Sequence, residues 1–237
     1  MREFLRYLFV VAAMLMVVVG DVWAECYVLD EPAEYNKTIG KSQEYSLGGK
    51  PGAILSFTAK KRLAGTGKLR VDQKINGSWQ EGVWSDGLTT SWKDYNNISI
   101  SRYATEIRLY NTGTLNKDFK NVKVTWATYA DQPSATSWTA DTKIIGSPAE
   151  TTTITMAWSN TAAFSCVITG DGKDQFTAEI TEGNASTCSY GTAQILIKYK
   201  HNVVGTHNAS LRISNGTYTY NIALSGTTLP KYTATFN

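Results

Sequence analysis

Charge, histidine and proline are all scarce in this 237-residue chain: 18% Asp, Glu, Lys and Arg together, two His and five Pro. A globular chain ordinarily carries about a quarter charged residues, and here the net charge is only +3. No run of Lys or Arg longer than Lys60-Lys61-Arg62 is present to neutralise a phosphate track, which argues against a nucleic-acid footprint. The two histidines, His201 and His207, flank a turn with no acidic cluster beside them. A zinc site needs three or four ligands and a Ser-His-Asp arrangement needs a third group in reach, so both are expected to pack or to face solvent. No phosphate-cradling loop or metal motif occurs, and no cofactor is expected. Amphipathic helical periodicity is missing as well. Long apolar runs are confined to Tyr7–Gly20, about 14 residues where a spanning helix needs ~20.

That run sits in residues 1–24, which read as a signal peptide. Arg2 and Arg6 form a basic start, the apolar run follows, and Val22-Trp23-Ala24 ends in a small residue suited to cleavage. The mature chain is therefore expected to be secreted or held at the cell envelope, with no transmembrane segment of its own. Three cysteines follow: Cys26, Cys166 and Cys188. In an oxidising compartment Cys166 and Cys188 could close a loop of about 20 residues, worth roughly 3 kcal/mol in the chain-entropy model. Three cysteines leave one over whatever the pairing, and Cys26 stays open between lipidated, paired and free. Glu25 stands where a lipidated cysteine needs a small residue.

What fills the chain is period-2 alternation, the mark of half-buried strands. Gln194–Tyr199, Asn208–Ser214 and Tyr218–Leu224 each alternate apolar and polar residues, and Asn215-Gly216 divides the last two. In the first half Lys68–Ile75 sets Leu69, Val71 and Ile75 against Arg70, Asp72 and Lys74, then Asn76-Gly77 and Ser78–Trp84 return. Asn-Gly between alternating runs is a strong hairpin signal, because both turn residues accept a positive φ. Further strands are expected over Ala53–Lys60, Asn97–Ser101, Glu106–Asn111, Val122–Trp126, Thr151–Ala157, Phe164–Thr169 and Phe176–Ile180. Asp131–Ala140, with Pro and small polar residues and no period, is the best boundary. The fold class expected is all-β: two β-sandwich domains at 25–132 and 141–229, a linker at 133–140, and a tail at 230–237 that is an edge strand or the start of a further one.

Ile107-Arg108-Leu109-Tyr110-Asn111, a Gly-containing loop and Val122-Lys123-Val124 resemble the closing strands of galactose-binding-like jelly-roll domains. In the second half, Ile168-Thr169-Gly170-Asp171-Gly172 before Gln175-Phe176, then Gly191-Thr192-Ala193-Gln194-Ile195, Gly205-Thr206-His207 and Leu224-Ser225-Gly226, are similar to hydin-type immunoglobulin-like domains of exported bacterial proteins. Where that pattern carries a Pro, this chain has Lys200-His201-Asn202. The first resemblance implies a module that often binds glycans, the second a scaffolding or protein-interaction module without catalysis.

A two-residue Asn76-Gly77 turn sets Lys74 across from Trp79, on the polar face with Asp72 and Glu81. Trp84 then falls on the apolar side. A Trp among charged groups on a solvated face can stack on a sugar ring while its neighbours bond the hydroxyls, so Trp79, Lys74, Asp72 and Glu81 are the candidate ligand-binding residues. Trp79 covering a sheet edge, with Lys74 laid over it, is the alternative. Glycoside hydrolysis needs two carboxylates about 5–10 Å apart. Glu81 and Asp86 are the nearest such pair, and no residue pattern sets them across a cleft. The expectation is a noncatalytic exported protein for adhesion or ligand binding, with polysaccharides or surface proteins as partners. A structural module of a larger surface assembly is the alternative.

Overall fold

The computed structural model describes residues 26–63 and 66–232, so the expected signal peptide lies outside the described residues. Strands β1 (Tyr27–Glu31), β2 (Tyr35–Lys37), β3 (Ser42–Ser46), β4 (Gly52–Lys61), β5 (Leu69–Ile75), β6 (Ser78–Asp86), β7 (Lys93–Ser99), β8 (Glu106–Asn111) and β9 (Lys117–Trp126) form the first half. They make two sheets, ordered β1-β9-β4-β7 with β2 on β9, and β3-β8-β5-β6. Alternation explains the pairing of the layers. Leu55, Phe57 and Ala59 of β4 and Phe119, Val122 and Val124 of β9 turn inward against Leu69, Val71, Ile107 and Leu109 of the other sheet, all nearly or wholly buried in one cluster. Each of these side chains but Ala59 contributes about 1.5–3 kcal/mol by leaving water.

The second half holds β10 (Tyr129–Ala130), β11 (Ser137–Thr139), β12 (Lys143–Ile144), β13 (Glu150–Ser159), β14 (Ser165–Thr169), β15 (Phe176–Glu182), β16 (Tyr190–Tyr199), β17 (Gly205–Ser214) and β18 (Thr219–Leu229). One sheet runs β10-β13-β16-β15 and the other β11-β18-β17-β14, with β12 also on β18. A second cluster, including Ile154, Met156, Ile195, Ile197, Tyr199, Leu211 and Ile213, fills the space between them. The all-β sandwich class is thus what the chain adopts.

Several particulars depart from expectation. Residues 133–140 are not a free linker, since β11 lies within them and pairs in parallel with β18, Trp138 opposite Leu224. The indole of Trp138 packs on the second core. β16 and β17 belong to different sheets, so residues 200–204 cross between layers. Asn76-Gly77 is the two-residue turn expected, with φ of 50° and 77° and Ile75 paired to Ser78. Asn215 works differently: its Oδ1 accepts from the Thr217 and Tyr218 N–H groups, at 3.1 and 2.9 Å, and caps a four-residue loop. β18 ends at Leu229, so residues 230–232 of the expected tail are not an edge strand, and residues 233–237 lie outside the described residues.

The cysteine pairing is corrected too. Cys26, not Cys166, bridges to Cys188, with Cα atoms 5.4 Å apart and a sequence separation of 162. Cys166 is free. It sits on β14 and packs on the second core, and burial pushes its thiol up to about 11. Cys188 instead lies in an exposed turn with φ of 57°, its N–H held by Asn160 Oδ1 at 2.9 Å. That turn leads into Tyr190, whose ring lies 5.9 Å from Trp126 at the end of the first half. Ala127 N–H to Pro51 O, at 2.8 Å, and the Arg102–Asp131 ion pair, at 3.0 Å, fasten the same junction.

Candidate functional site

The outward positions of β5, β6 and β8 form one charged and aromatic face. β5 turns Leu69 and Val71 inward, so Arg70, Asp72 and Lys74 point out; β8 turns Ile107 and Leu109 inward, so Glu106, Arg108 and Tyr110 do. The register sets Arg70 beside Tyr110, Asp72 beside Arg108 and Lys74 beside Glu106. Across the Asn76-Gly77 hairpin Lys74 stands opposite Trp79, as expected.

A bulge organises the centre. The β5–β6 register shifts between Val71 and Gln73, and Gly82, at φ 74°, turns its N–H onto Asp72 Oδ1 at 2.9 Å. Extra residues on one strand re-aim side chains in this way. Asp72 Oδ2 accepts from Arg108 Nε at 2.8 Å and from Arg70 Nη2 at 3.0 Å. Both guanidiniums reach on to Glu81, Arg70 Nη1 at 2.9 Å and Arg108 Nη2 at 3.5 Å. Burial alone would raise the Asp72 carboxyl. The hydrogen bonds from Arg70, Arg108 and the Gly82 N–H outweigh it and hold the group below the usual carboxylate range.

The same arginines lie on aromatic rings. Arg108 is 4.3 Å from the Trp79 centroid and 5.5 Å from that of Tyr110, and Arg70 is 4.9 Å from Tyr110. Lys74 Nζ stands 5.7 Å from the Trp79 ring and donates to Glu106 Oε1 at 2.9 Å. The result is a half-buried indole, wedged beside a planar cation and ringed by groups able to donate to or accept from hydroxyls.

Three of the four residues singled out from sequence, Lys74, Trp79 and Glu81, meet at this surface. Asp72 does not: its side chain is fully buried, shut under the two guanidiniums, so it orders the site and touches nothing outside. Arg70, Arg108, Tyr110 and Glu106 belong to the face and were not singled out. The alternation in Glu106–Asn111 shows which of β8's residues point outward, but not that β8 lies beside β5.

No protein-family model matches the chain, and no curated protein matches it. Among solved structures it is similar to an endo-fucoidan hydrolase of glycoside hydrolase family 107, at 15% identity and TM-score 0.31, and to a Bacteroides ovatus protein described as an alpha-L-fucosidase, at 13% identity and TM-score 0.33. These cover 84% and 86% of this chain but only 27% and 40% of theirs. Likeness at that level carries no argument for a shared mechanism. Both proteins are nonetheless named as glycan hydrolases, and against them the expectation of a noncatalytic chain is corrected and not retained.

Proposed function

We propose that this is an exported protein that binds glycans on the outer face of β5, β6 and β8. Trp79 is the stacking platform, and Lys74, Glu81, Glu106 and Arg108 bond the hydroxyl groups around it. The observation that carries this reading is the seating of Trp79: its indole is locked by Arg108 at 4.3 Å on a solvated face, and Arg108 is itself fixed by a buried carboxylate. A platform ordered before the ligand arrives loses little freedom on binding. Export is supported by the sequence of residues 1–24 and by a disulfide, a bond that persists in oxidising compartments. The two halves are read as a jelly-roll-like binder and an immunoglobulin-like spacer.

The test is binding of the protein to a panel of polysaccharides, beside Trp79→Ala. Loss of binding by the variant, with its circular dichroism unchanged, is expected; equal binding by both forms sinks the reading. A structural role in a larger surface assembly would then take its place. That second reading is favoured by exposed apolar side chains at one end of the second half, where Ile144 pairs with Leu229 and Val204 precedes the Gly205–Thr228 pair.

A further inference from the structure

A second polar site lies in the other half of the molecule. β14 stops pairing with β17 at Thr169–Ser210, while β17 runs on toward Gly205. The chain turns away through Gly170–Gly172, and Gly172 N–H is bonded to Asn208 O at 2.9 Å. Only glycine fits there, since a Cβ would meet Asn208 and His207 atoms at 2.8–2.9 Å. Between the turn and the strand opens a groove of about 540 Å³ whose walls include Thr169, Asp171, Thr206, His207, Asn208 and Ser210.

His207 is tied to a buried chain of hydrogen bonds. Its Nδ1 is 2.7 Å from the Tyr199 hydroxyl, which is 3.1 Å from Thr228 Oγ1, which is 3.3 Å from His201 Nδ1. Tyr199, Thr228 and His201 are essentially inaccessible, and His201 Nε2 has no partner among the described residues. Two directions of donation run unbroken along the inner bonds, and any mixed arrangement that makes all of them leaves the Thr228 or Tyr199 hydroxyl proton without an acceptor in this chain. If His207 donated inward, the chain would end with His201 taking a proton at Nδ1 and keeping its own on Nε2, a buried N–H facing nothing. If donation runs outward, from His201 Nδ1–H to Thr228 to Tyr199 to His207 Nδ1, the orphan is only a lone pair. An orphaned buried donor is the rarer and costlier state, so the outward direction prevails. It leaves His207 with its proton on Nε2, the nitrogen outside the chain.

We infer that the groove beside β17 binds a neutral glycan residue through adjacent hydroxyls, one accepting from His207 Nε2–H and the next donating to Asp171. Tyr199 is the positioning residue that fixes the imidazole tautomer. The Asp171 carboxylate disfavours anionic ligands, and Thr169, Thr206 and Asn208 supply groups that both donate and accept, as a polyol requires. The site is separate from the Trp79 face and stands without it.

Long-range ¹H–¹⁵N spectra of the protein at pH 7.5 test the tautomer directly. His207 protonated on Nε2 is expected, with a mixture of tautomers in Tyr199→Phe, which keeps the ring. Protonation on Nδ1, or a Tyr199→Phe spectrum like the wild type's, overturns the inference. Titration with neutral gluco-, galacto-, manno- and fuco-oligosaccharides should shift the His207 and Asn208 signals. Affinity should fall about tenfold in His207→Ala and in Asp171→Asn, as one lost hydrogen bond to a polar ligand predicts, and stay unchanged in Trp79→Ala. If no oligosaccharide moves the His207 signals, or if oligogalacturonate binds better than the neutral sugars, the groove is not such a site. Sugar binding abolished by Trp79→Ala, with His207 unmoved throughout, overturns this inference and leaves the glycan reading of the first half standing.

Discussion

Asp72 shows how one carboxylate can order a surface it never reaches. It accepts from two guanidiniums and a backbone N–H, so Asp72→Asn would leave two cations facing a neutral amide. Removing one partner of a buried ion pair typically costs about 3–5 kcal/mol, and a loss of that order is expected in urea unfolding of the variant. The pH dependence has a definite sign. The folded carboxyl titrates below its unfolded value, so the stability it confers is present above about pH 4 and disappears as pH falls through the folded value. His201 acts in a higher window. Burial, and then Lys143, hold its imidazole below the ordinary histidine range, with Glu150 opposing. The unfolded chain therefore takes up the proton first, and stability falls as pH drops below about 6.5. Urea midpoints measured at pH 7.5 and 5.5 should differ in the wild type and converge in His201→Phe.

At the scale of strands, one contact that restricts substitution lies between β16 and β18. Gly226 faces the ring of Tyr199, and a Cβ there would stand 2.6 Å from it. Gly226→Ala must displace the ring and the hydrogen-bonded chain behind it, so a cost of about 1–3 kcal/mol in thermal or chemical unfolding is expected. The same strands show what a reader of the sequence can and cannot see. β5, β8 and β16 are legible because their apolar and polar residues alternate, and β6 and the pairing of Lys74 with Trp79 follow from a two-residue turn. β3 is not, because among Ser42–Ser46 only Tyr45 is buried. β11 hides for a related reason: Trp138 is its one packing residue, set among Pro, Ser and Thr. Sheet membership is harder still. Nothing local distinguishes the crossover at 200–204 from a hairpin, since what separates β16 from β17 is the partner each finds far along the chain. The candidate site was half visible on the same grounds: its hairpin is local, while the arginine and tyrosine of β8 arrive from about 30 residues away.

For the whole molecule, the bridge between Cys26 and Cys188 is the longest-range constraint among the described residues. A closed loop of 162 residues is worth about 5 kcal/mol in the chain-entropy model. Reduction, or Cys26→Ser, should lower the melting temperature of the entire chain, and Cys166→Ser should leave it near the wild-type value. Calorimetry of the three proteins checks both. If the Cys26→Ser variant melts with the wild type, the unfolded chain gains nothing from losing the bridge.

That bridge also decides how the molecule would carry a load. A pull applied at residue 26 and at residue 232 passes straight through the sulfur atoms into the turn at Cys188 and never enters β1–β15. Only the segment beyond residue 188 can be drawn out, roughly 150 Å at about 3.5 Å per residue. The face bearing Trp79 lies inside the closed loop, slack while β16, β17 and β18 take the strain. With the bridge reduced, the first half joins the line of tension, and the reach of the chain grows to about 700 Å.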